Sequence, residues 1–125
     1  MIFDTDIFIW VQRGNVKATR LMESVDERSL SVQTYMELLQ GAQNKKQHQQ
    51  IKDFLKTFNF QVLPLTENIG HRACVYLEEY TLWNSIRAGD ALVAATAAEN
   101  NLILVTSNSK HFKPIKELRL KIFKP

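Results

Sequence analysis

Apolar residues along the chain follow two different spacings, and segments of the two kinds alternate. Short continuous apolar runs predict β-strands over residues 1–4, 29–32, 61–65, 102–105 and 119–123. Pro64 lacks an N–H for strand pairing, so the third of these strands is expected at a sheet edge. Apolar residues spaced three and four positions apart predict amphipathic helices between the strands. These helices are expected over residues 6–12, 16–25, 33–41, 51–58, 69–80 and 90–100.

Strands that alternate with helices favour right-handed crossovers and a parallel sheet. We therefore predict an α/β fold of three layers, α/β/α, with a mostly parallel central sheet of four to five strands. The chain of 125 residues is close to the commonest size of one domain and contains no Pro/Gly-rich linker. We expect a single domain over residues 1–125.

Composition indicates in which cellular compartment the protein is expected. No apolar run approaches the roughly 18 residues that a membrane-spanning helix needs, and the acidic residues at positions 4 and 6 argue against a signal peptide. We expect a cytoplasmic protein. The net charge of +3 permits a polyanionic partner without requiring one. Cys74 is the only cysteine, which excludes an intrachain disulfide, and its apolar surroundings predict a buried, inert thiol.

Acidic residues stand where predicted strands end. Asp4 ends the first strand, Glu37 lies one turn into the helix after the second, and Asp90 opens the apolar helix before the 102–105 strand. In a parallel sheet these positions lie at one rim, where ligands bind. Carboxylates gathered there repel one another unless a hard cation such as Mg²⁺ or Mn²⁺ neutralises them. Such an ion lowers the pKa of a bound water and stabilises charge on a phosphodiester.

Each acid also has a purely structural interpretation. Asp6 is expected to cap its helix rather than to bind metal. Glu37 fits a capping box that begins at Thr34, and Asp90 after Gly89 fits an ordinary helix cap. Asp4 is harder to explain in this way, because an acid at the end of an apolar strand needs a partner.

Three segments together resemble the PIN-domain family, and its VapC toxin branch in particular. Residues 3–7 (FDTDI) resemble its opening hydrophobic-Asp-Thr/Ser motif, and residues 30–42 (LSVQTYMELLQGA) its Ser-x-x-Thr-x-x-Glu-Leu segment. Residues 88–97 (AGDALVAATA) with 104–108 (LVTSN) resemble its third block. The motifs occur in the family's order over residues 1–112, which makes the combination specific although each motif alone is not.

The resemblance implies a metal-dependent endoribonuclease of a toxin–antitoxin pair. Asp4, Glu37 and Asp90 would be its catalytic residues and would bind Mg²⁺ or Mn²⁺. Thr5, Thr106 and Asn108 would orient waters or the third acid, Asp90. The implied partners are an RNA substrate (tRNA, rRNA or mRNA), a VapB-like antitoxin that binds operator DNA, and a second copy of the chain in a homodimer.

The chain departs from this family where many relatives carry a fourth acid. Residues 106–112 (TSNSKHF) contain no carboxylate, and His111 precedes the phenylalanine. Because Mg²⁺ prefers oxygen ligands, His111 is expected to face solvent or RNA rather than to bind metal. The missing acid keeps an alternative function open, that of a catalytically weakened PIN fold that binds RNA or an antitoxin.

Basic residues near the motifs are candidate RNA contacts, since cations can bind a phosphate backbone without reading sequence. The candidates are Arg13, Lys17, Arg87 and Lys110. Trp10 and Trp83 are expected in the core or a dimer interface rather than stacked on bases.

The Asp4-Thr-Asp6 pair also resembles the opening motif of haloacid-dehalogenase phosphatases. Phe8, however, occupies the place where those enzymes carry a small or hydroxylic residue. No lysine is set against a late acidic pair in their manner either, so the phosphatase alternative is the weaker one.

Overall fold

A five-stranded parallel sheet forms the centre of the molecule, in a computed structural model that describes residues 1–125. The strands are β1 (Ile2–Phe3), β2 (Arg28–Ser31), β3 (Phe60–Leu63), β4 (Leu104–Thr106) and β5 (Leu120–Ile122). The sheet has the strand order β3-β2-β1-β4-β5, and every neighbouring pair is parallel. The prediction of an α/β fold with a parallel sheet is confirmed, as is the edge position of the third strand, β3.

Seven helices surround the sheet, and five of them begin at a side chain that accepts a hydrogen bond from the first turn. These N-caps are Asp4, Asn15, Ser31, Asn44 and Thr66, residue types that satisfy otherwise unpaired N–H groups. None of the helices has the length and apolar character that a membrane span requires. The helices are α1 (Thr5–Gln12), α2 (Val16–Ser24), α3 (Val32–Gly41), α4 (Lys45–Thr57), α5 (Glu67–Tyr80), α6 (Ala88–Glu99) and α7 (Ser109–Phe112).

Alternating residues of the central strands build two separate cores, because successive side chains in a strand point to opposite faces. Ile2 and Leu104 are register partners and pack with α5 and α6 on one face. Phe3 and Val105 are the next pair, and they pack with α1, α2 and α4 on the other face. The three predicted layers are therefore present.

Three predictions from the sequence need correction. The fourth strand begins at Leu104 rather than at residue 102, because the chain leaves α6 through Asn101, whose φ is 54°. The short helix α7 was not predicted at all. Cys74 is exposed rather than buried, because Ala73 and Tyr76 are the residues that α5 turns toward the core.

The order of the strands creates a crevice beside β1. From β1 the chain moves to β2 and β3 on one side, and then crosses to β4 and β5 on the other. The carboxyl ends of β1 and β4 therefore flank a topological switch point, the place where open α/β sheets bind ligands. The two strands end next to Asp4 and at Thr106, respectively.

Candidate metal centre

Asp4 is held at the switch point by hydrogen bonds from both sides. One carboxylate oxygen, Oδ1, accepts the backbone N–H of Thr5 at 2.8 Å and so caps α1. The other, Oδ2, accepts the hydroxyl of Thr106 at 2.8 Å. Asp4 is 8% exposed, so its carboxylate faces the crevice while most of it is shielded from water.

Burial makes the negative charge of Asp4 costly. Burial, followed by the nearby charge of Asp6, raises the pKa of Asp4 to about 7. The hydrogen bonds from Thr106 and Thr5 oppose this increase, and Asp90 adds a smaller repulsion. A cation bound at this rim would favour the ionised carboxylate and would relieve the repulsion.

Asp6 lies beside Asp4 and is bonded to the chain that follows β4. Its Oδ2 accepts the backbone N–H of Ser107 at 2.9 Å and also the hydroxyl of Ser107. The interpretation of Asp6 as a helix cap is wrong, since Asp4 takes that role. The second oxygen, Oδ1, is buried without any hydrogen-bond partner. Buried carboxylate oxygens are rarely unsatisfied, so this atom indicates a missing partner.

Glu37 reaches the same rim from α3. Its Oε1 lies 3.4 Å from the hydroxyl of Thr5 and 3.4 Å from the amide of Gln33. The same oxygen is 3.7 Å from where a side chain at Gly89 would begin, so α3 and the start of α6 are close together. The cap of α3 is Ser31, so the capping box expected between Thr34 and Glu37 does not form.

Asp90 is the third residue of α6 and is bound from two directions. Its Oδ2 accepts the backbone N–H of Arg87 at 3.1 Å, which makes Arg87 rather than Asp90 the N-cap position. The same oxygen lies 2.9 Å from Nδ1 of His111. His111 therefore contacts an acid of the rim, a contact that the sequence does not predict, and its orientation toward RNA stays a prediction. The side chains of Asp90 and His111 are 21% and 20% exposed.

The three polar residues expected to orient waters or the third acid, Thr5, Thr106 and Asn108, make different contacts, and none of them touches Asp90. Thr5 donates to Thr34 at 3.1 Å and approaches Glu37, and Thr106 donates to Asp4. The side-chain amide of Asn108 instead contacts Nδ1 of His111 at 2.9 Å.

The donor set fits a hard divalent cation in chemistry and charge. Carboxylate oxygens are the ligands that Mg²⁺ prefers, and the raised pKa of Asp4 and its repulsion by Asp6 and Asp90 both indicate a need for positive charge. No three His, Cys, Asp or Glu side chains converge closely enough to hold an ion as they stand. The acids share a rim without forming a closed ligand cluster.

Two of the four candidate RNA-binding cations lie near this rim. Arg87 is exposed at the start of α6 and Lys110 is exposed on α7, one residue from His111. Arg13 and Lys17 lie beyond the far end of α1, which is about 12 Å long. The structure therefore does not bring Arg13 and Lys17 to the acids, and RNA contact at all four positions stays a prediction.

An apolar groove borders the rim on the side of Glu37. It has a volume of about 520 Å³ and lies between α1, α3 and α4. Apolar side chains supply most of its walls, including Phe8, Ile9, Leu38 and Phe54.

Comparisons with known proteins agree with this architecture. The sequence model of the PIN domain matches residues 1–118. The chain is 32% identical to "Ribonuclease VapC10" of Mycobacterium tuberculosis (strain CDC 1551 / Oshkosh) over 123 residues, which cover 95% of this chain and 90% of that protein.

Solved structures give the same result. A toxin–antitoxin complex from Klebsiella pneumoniae contains a chain that superposes with a TM-score of 0.79 at 30% identity, covering 94% of this chain and 93% of that one. VapBC-1 from nontypeable Haemophilus influenzae superposes with a TM-score of 0.79 at 26% identity, covering 98% of each chain.

Proposed function

The chain belongs to the PIN-domain family, and from that premise we propose that it is a metal-dependent endoribonuclease, the toxin of a toxin–antitoxin pair. The observation that carries the proposal is the position of Asp4, buried at the β1/β4 switch point and close enough to Asp6 and Asp90 for their charges to raise its pKa. The similarity to a VapC ribonuclease over nearly the whole chain supports RNA as the substrate.

Asp4, Glu37 and Asp90 would hold Mg²⁺ or Mn²⁺. A divalent ion bound there supplies a water of lowered pKa and stabilises negative charge on a phosphodiester. Thr106 keeps the carboxylate of Asp4 in one orientation, and Thr5 does the same between Asp4 and Glu37. Ligating carboxylates that are themselves hydrogen-bonded keep their orientation without reorganisation.

Arg87 and Lys110 would bind the RNA backbone beside the acids. Both are exposed next to Asp90, and cations at that position offset the repulsion between an acidic rim and a polyanion. Access to RNA also makes the cytoplasm the expected location. Because water rather than the 2′-hydroxyl of the substrate would attack, the expected products carry 5′-phosphate and 3′-hydroxyl ends.

An antitoxin would bind the groove between α1, α3 and α4. Its walls are mostly apolar and Glu37 lies at its edge, so an apolar segment with a basic side chain would fill the groove and reach the acids. A homodimer belongs to the same proposal. Leu82 is 97% exposed and Trp83 64% exposed, and apolar side chains that protrude so far commonly belong to an interface.

Cleavage of a mixed tRNA and rRNA pool tests the proposal. The purified chain, free of antitoxin, is incubated with Mg²⁺, Mn²⁺ or EDTA beside Asp90→Asn. The matched control is Asp53→Asn, which changes an exposed acid on α4. We expect metal-dependent cutting by the wild type and the control but not by Asp90→Asn. A folded wild type that fails to cut RNA with any metal would instead favour the alternative, a catalytically weakened PIN fold that binds RNA or an antitoxin. Products with 2′,3′-cyclic phosphate ends would exclude attack by water.

A further inference from the structure

We propose that His111 is a positioning residue of this nuclease site, which holds Asp90 in the orientation that binds the divalent ion. The inference rests on the proposed function and adds a residue to it. The observation behind it is the 2.9 Å contact between Nδ1 of His111 and Oδ2 of Asp90, which joins α7 to the start of α6.

The contacts around Nδ1 of His111 determine its role. The atom lies 2.9 Å from the carboxylate of Asp90 and 2.9 Å from the side-chain amide of Asn108. A bare Nδ1 would place two acceptors against each other at Asp90, whereas Nδ1–H donates to the carboxylate. If the side-chain amide of Asn108 is flipped by about 180°, its oxygen rather than its nitrogen faces the same N–H. Every contact of Nδ1 is then a donor–acceptor pair. The consistent assignment makes His111 the donor.

This hydrogen bond gives the two carboxylate oxygens of Asp90 different roles. Oδ2 accepts both the backbone N–H of Arg87 and Nδ1–H of His111. These two donors come from different elements, so together they restrict rotation of the carboxyl group. Oδ1 makes no hydrogen bond with the protein and stays available at the rim. Donors on one oxygen of a carboxylate commonly orient the other toward a metal.

A purely structural role does not explain the contact as well. The helix α7 is anchored by Phe112, which is fully buried, so His111 is not needed to keep α7 against the sheet. Ion pairs near the surface contribute little to stability. The contact is directed at Asp90, which no residue of β4 or of the turn after it holds, whereas Asp4 is bonded to Thr106 and Asp6 to Ser107.

Titration calorimetry with Mn²⁺ tests the proposal on the full chain. His111→Phe keeps a ring but loses the donor, whereas His111→Asn keeps an N–H donor near the position of Nδ1. The matched control is His71→Phe on α5, whose only charged contact is with an exposed Glu67. RNA cleavage is measured in parallel over a range of Mn²⁺ concentrations.

We expect His111→Phe to bind Mn²⁺ about 10–100-fold more weakly, the usual cost of losing a partner of a ligating side chain. His111→Asn should recover most of that affinity, and His71→Phe should lose none. Excess Mn²⁺ should restore cleavage by His111→Phe, because the RNA-binding residues are unchanged.

Equal Mn²⁺ affinity in wild type and His111→Phe would overturn the positioning role while leaving the nuclease intact. A loss in His111→Asn as large as that in His111→Phe would also overturn it, because the N–H donor would then not be what matters. A wild type that neither binds Mn²⁺ nor cuts RNA would instead refute the proposed function, and the inference with it.

Discussion

The hydroxyl of Thr106 donates a hydrogen bond of 2.8 Å to Oδ2 of Asp4, although the two residues are 102 positions apart in the chain. The same hydroxyl oxygen accepts the backbone N–H of Asn108 at 3.0 Å. One buried threonine therefore orients the carboxylate at the end of β1 and also fixes the turn that leads from β4 into α7. The proposed metal centre and the local fold therefore share this side chain.

Replacing Thr106 by valine tests this double role, because valine has the same shape without the hydroxyl. The substitution leaves the Oδ2 of Asp4 and the N–H of Asn108 without a partner, which should lower the free energy of unfolding by about 1–3 kcal/mol. Mn²⁺ affinity should fall by about 10–100-fold. Urea unfolding and titration calorimetry measure the two effects.

Thr96→Val is the matched control for that variant. Thr96 is equally buried, on α6, and its hydroxyl donates only to the carbonyl of Leu92. This control should leave Mn²⁺ affinity unchanged. If both valine variants bound Mn²⁺ as the wild type does, the orienting role of Thr106 would be refuted.

Thermal unfolding with and without Mn²⁺ separates the acids that bind metal from the acid that does not. A ligand that binds only the folded state raises the unfolding temperature. We expect Asp4→Asn and Asp90→Asn to lose this increase. Asp6→Asn should keep it, because Oδ2 of Asp6 is already occupied by Ser107. Equal losses in all three variants would place the unsatisfied Oδ1 of Asp6 within the site.

The sequence predicts the acids of the rim better than it predicts their partners. An apolar strand that ends in aspartate identifies Asp4, and the strand order then brings Asp90 near it. The partners are different, because the hydroxyl of Thr106 and the imidazole of His111 become relevant only when distant segments meet. His111 also lies on a helix of four residues, which is too short to show the helical periodicity on which the sequence prediction depends.

The sequence also does not predict which face of a correctly predicted helix is buried. The α5 helix was expected to bury Cys74 among apolar neighbours, yet Val75 and Cys74 face outward while Ala73 and Tyr76 face the core. A helix with apolar residues on several sides does not reveal which of its faces the sheet will cover.

An ion-pair network beside α5 predicts how the stability of the fold depends on pH. Its members are Arg72, Tyr76, Glu99 and Glu117. The pKa of Glu117 is lowered by a hydrogen bond from the hydroxyl of Tyr76 and then by Arg72. A carboxyl group whose pKa is lower in the folded state stabilises that state above its ordinary pKa near 4.5 and loses the effect as the pH falls through the lowered value.

We therefore expect the unfolding temperature to fall less steeply below pH 4.5 in Glu117→Gln than in the wild type. The difference in the free energy of unfolding between the wild type and Glu117→Gln should stay below about 1 kcal/mol, because Glu117 is half exposed and solvent screens its ion pair with Arg72. Glu67→Gln, on the exposed start of α5, is the control. Identical pH profiles for the wild type and Glu117→Gln would show that the network does not stabilise the fold.

Salt dependence of RNA binding distinguishes the basic residues near the rim from those far from it. The measurements use an Asp90→Asn background, which should not cut RNA. In it, Arg87→Ala should make the fall of log affinity with log salt less steep by about one, the effect of one lost phosphate contact. Arg13→Ala should change it less, because Arg13 lies beyond the far end of α1. A larger effect of Arg13 would mean that RNA follows α1 instead.

The location of a bound metal ion is the strongest test of the proposed metal centre. A crystal of the chain soaked in Mn²⁺ and measured near the manganese absorption edge gives an anomalous difference map. We expect a peak at the carboxyl ends of β1 and β4, in contact with carboxylate oxygens of Asp4 and Asp90 and close to Glu37. A map with no peak at that rim, or with its strongest peak elsewhere on the chain, would contradict the assignment of these acids as the metal centre.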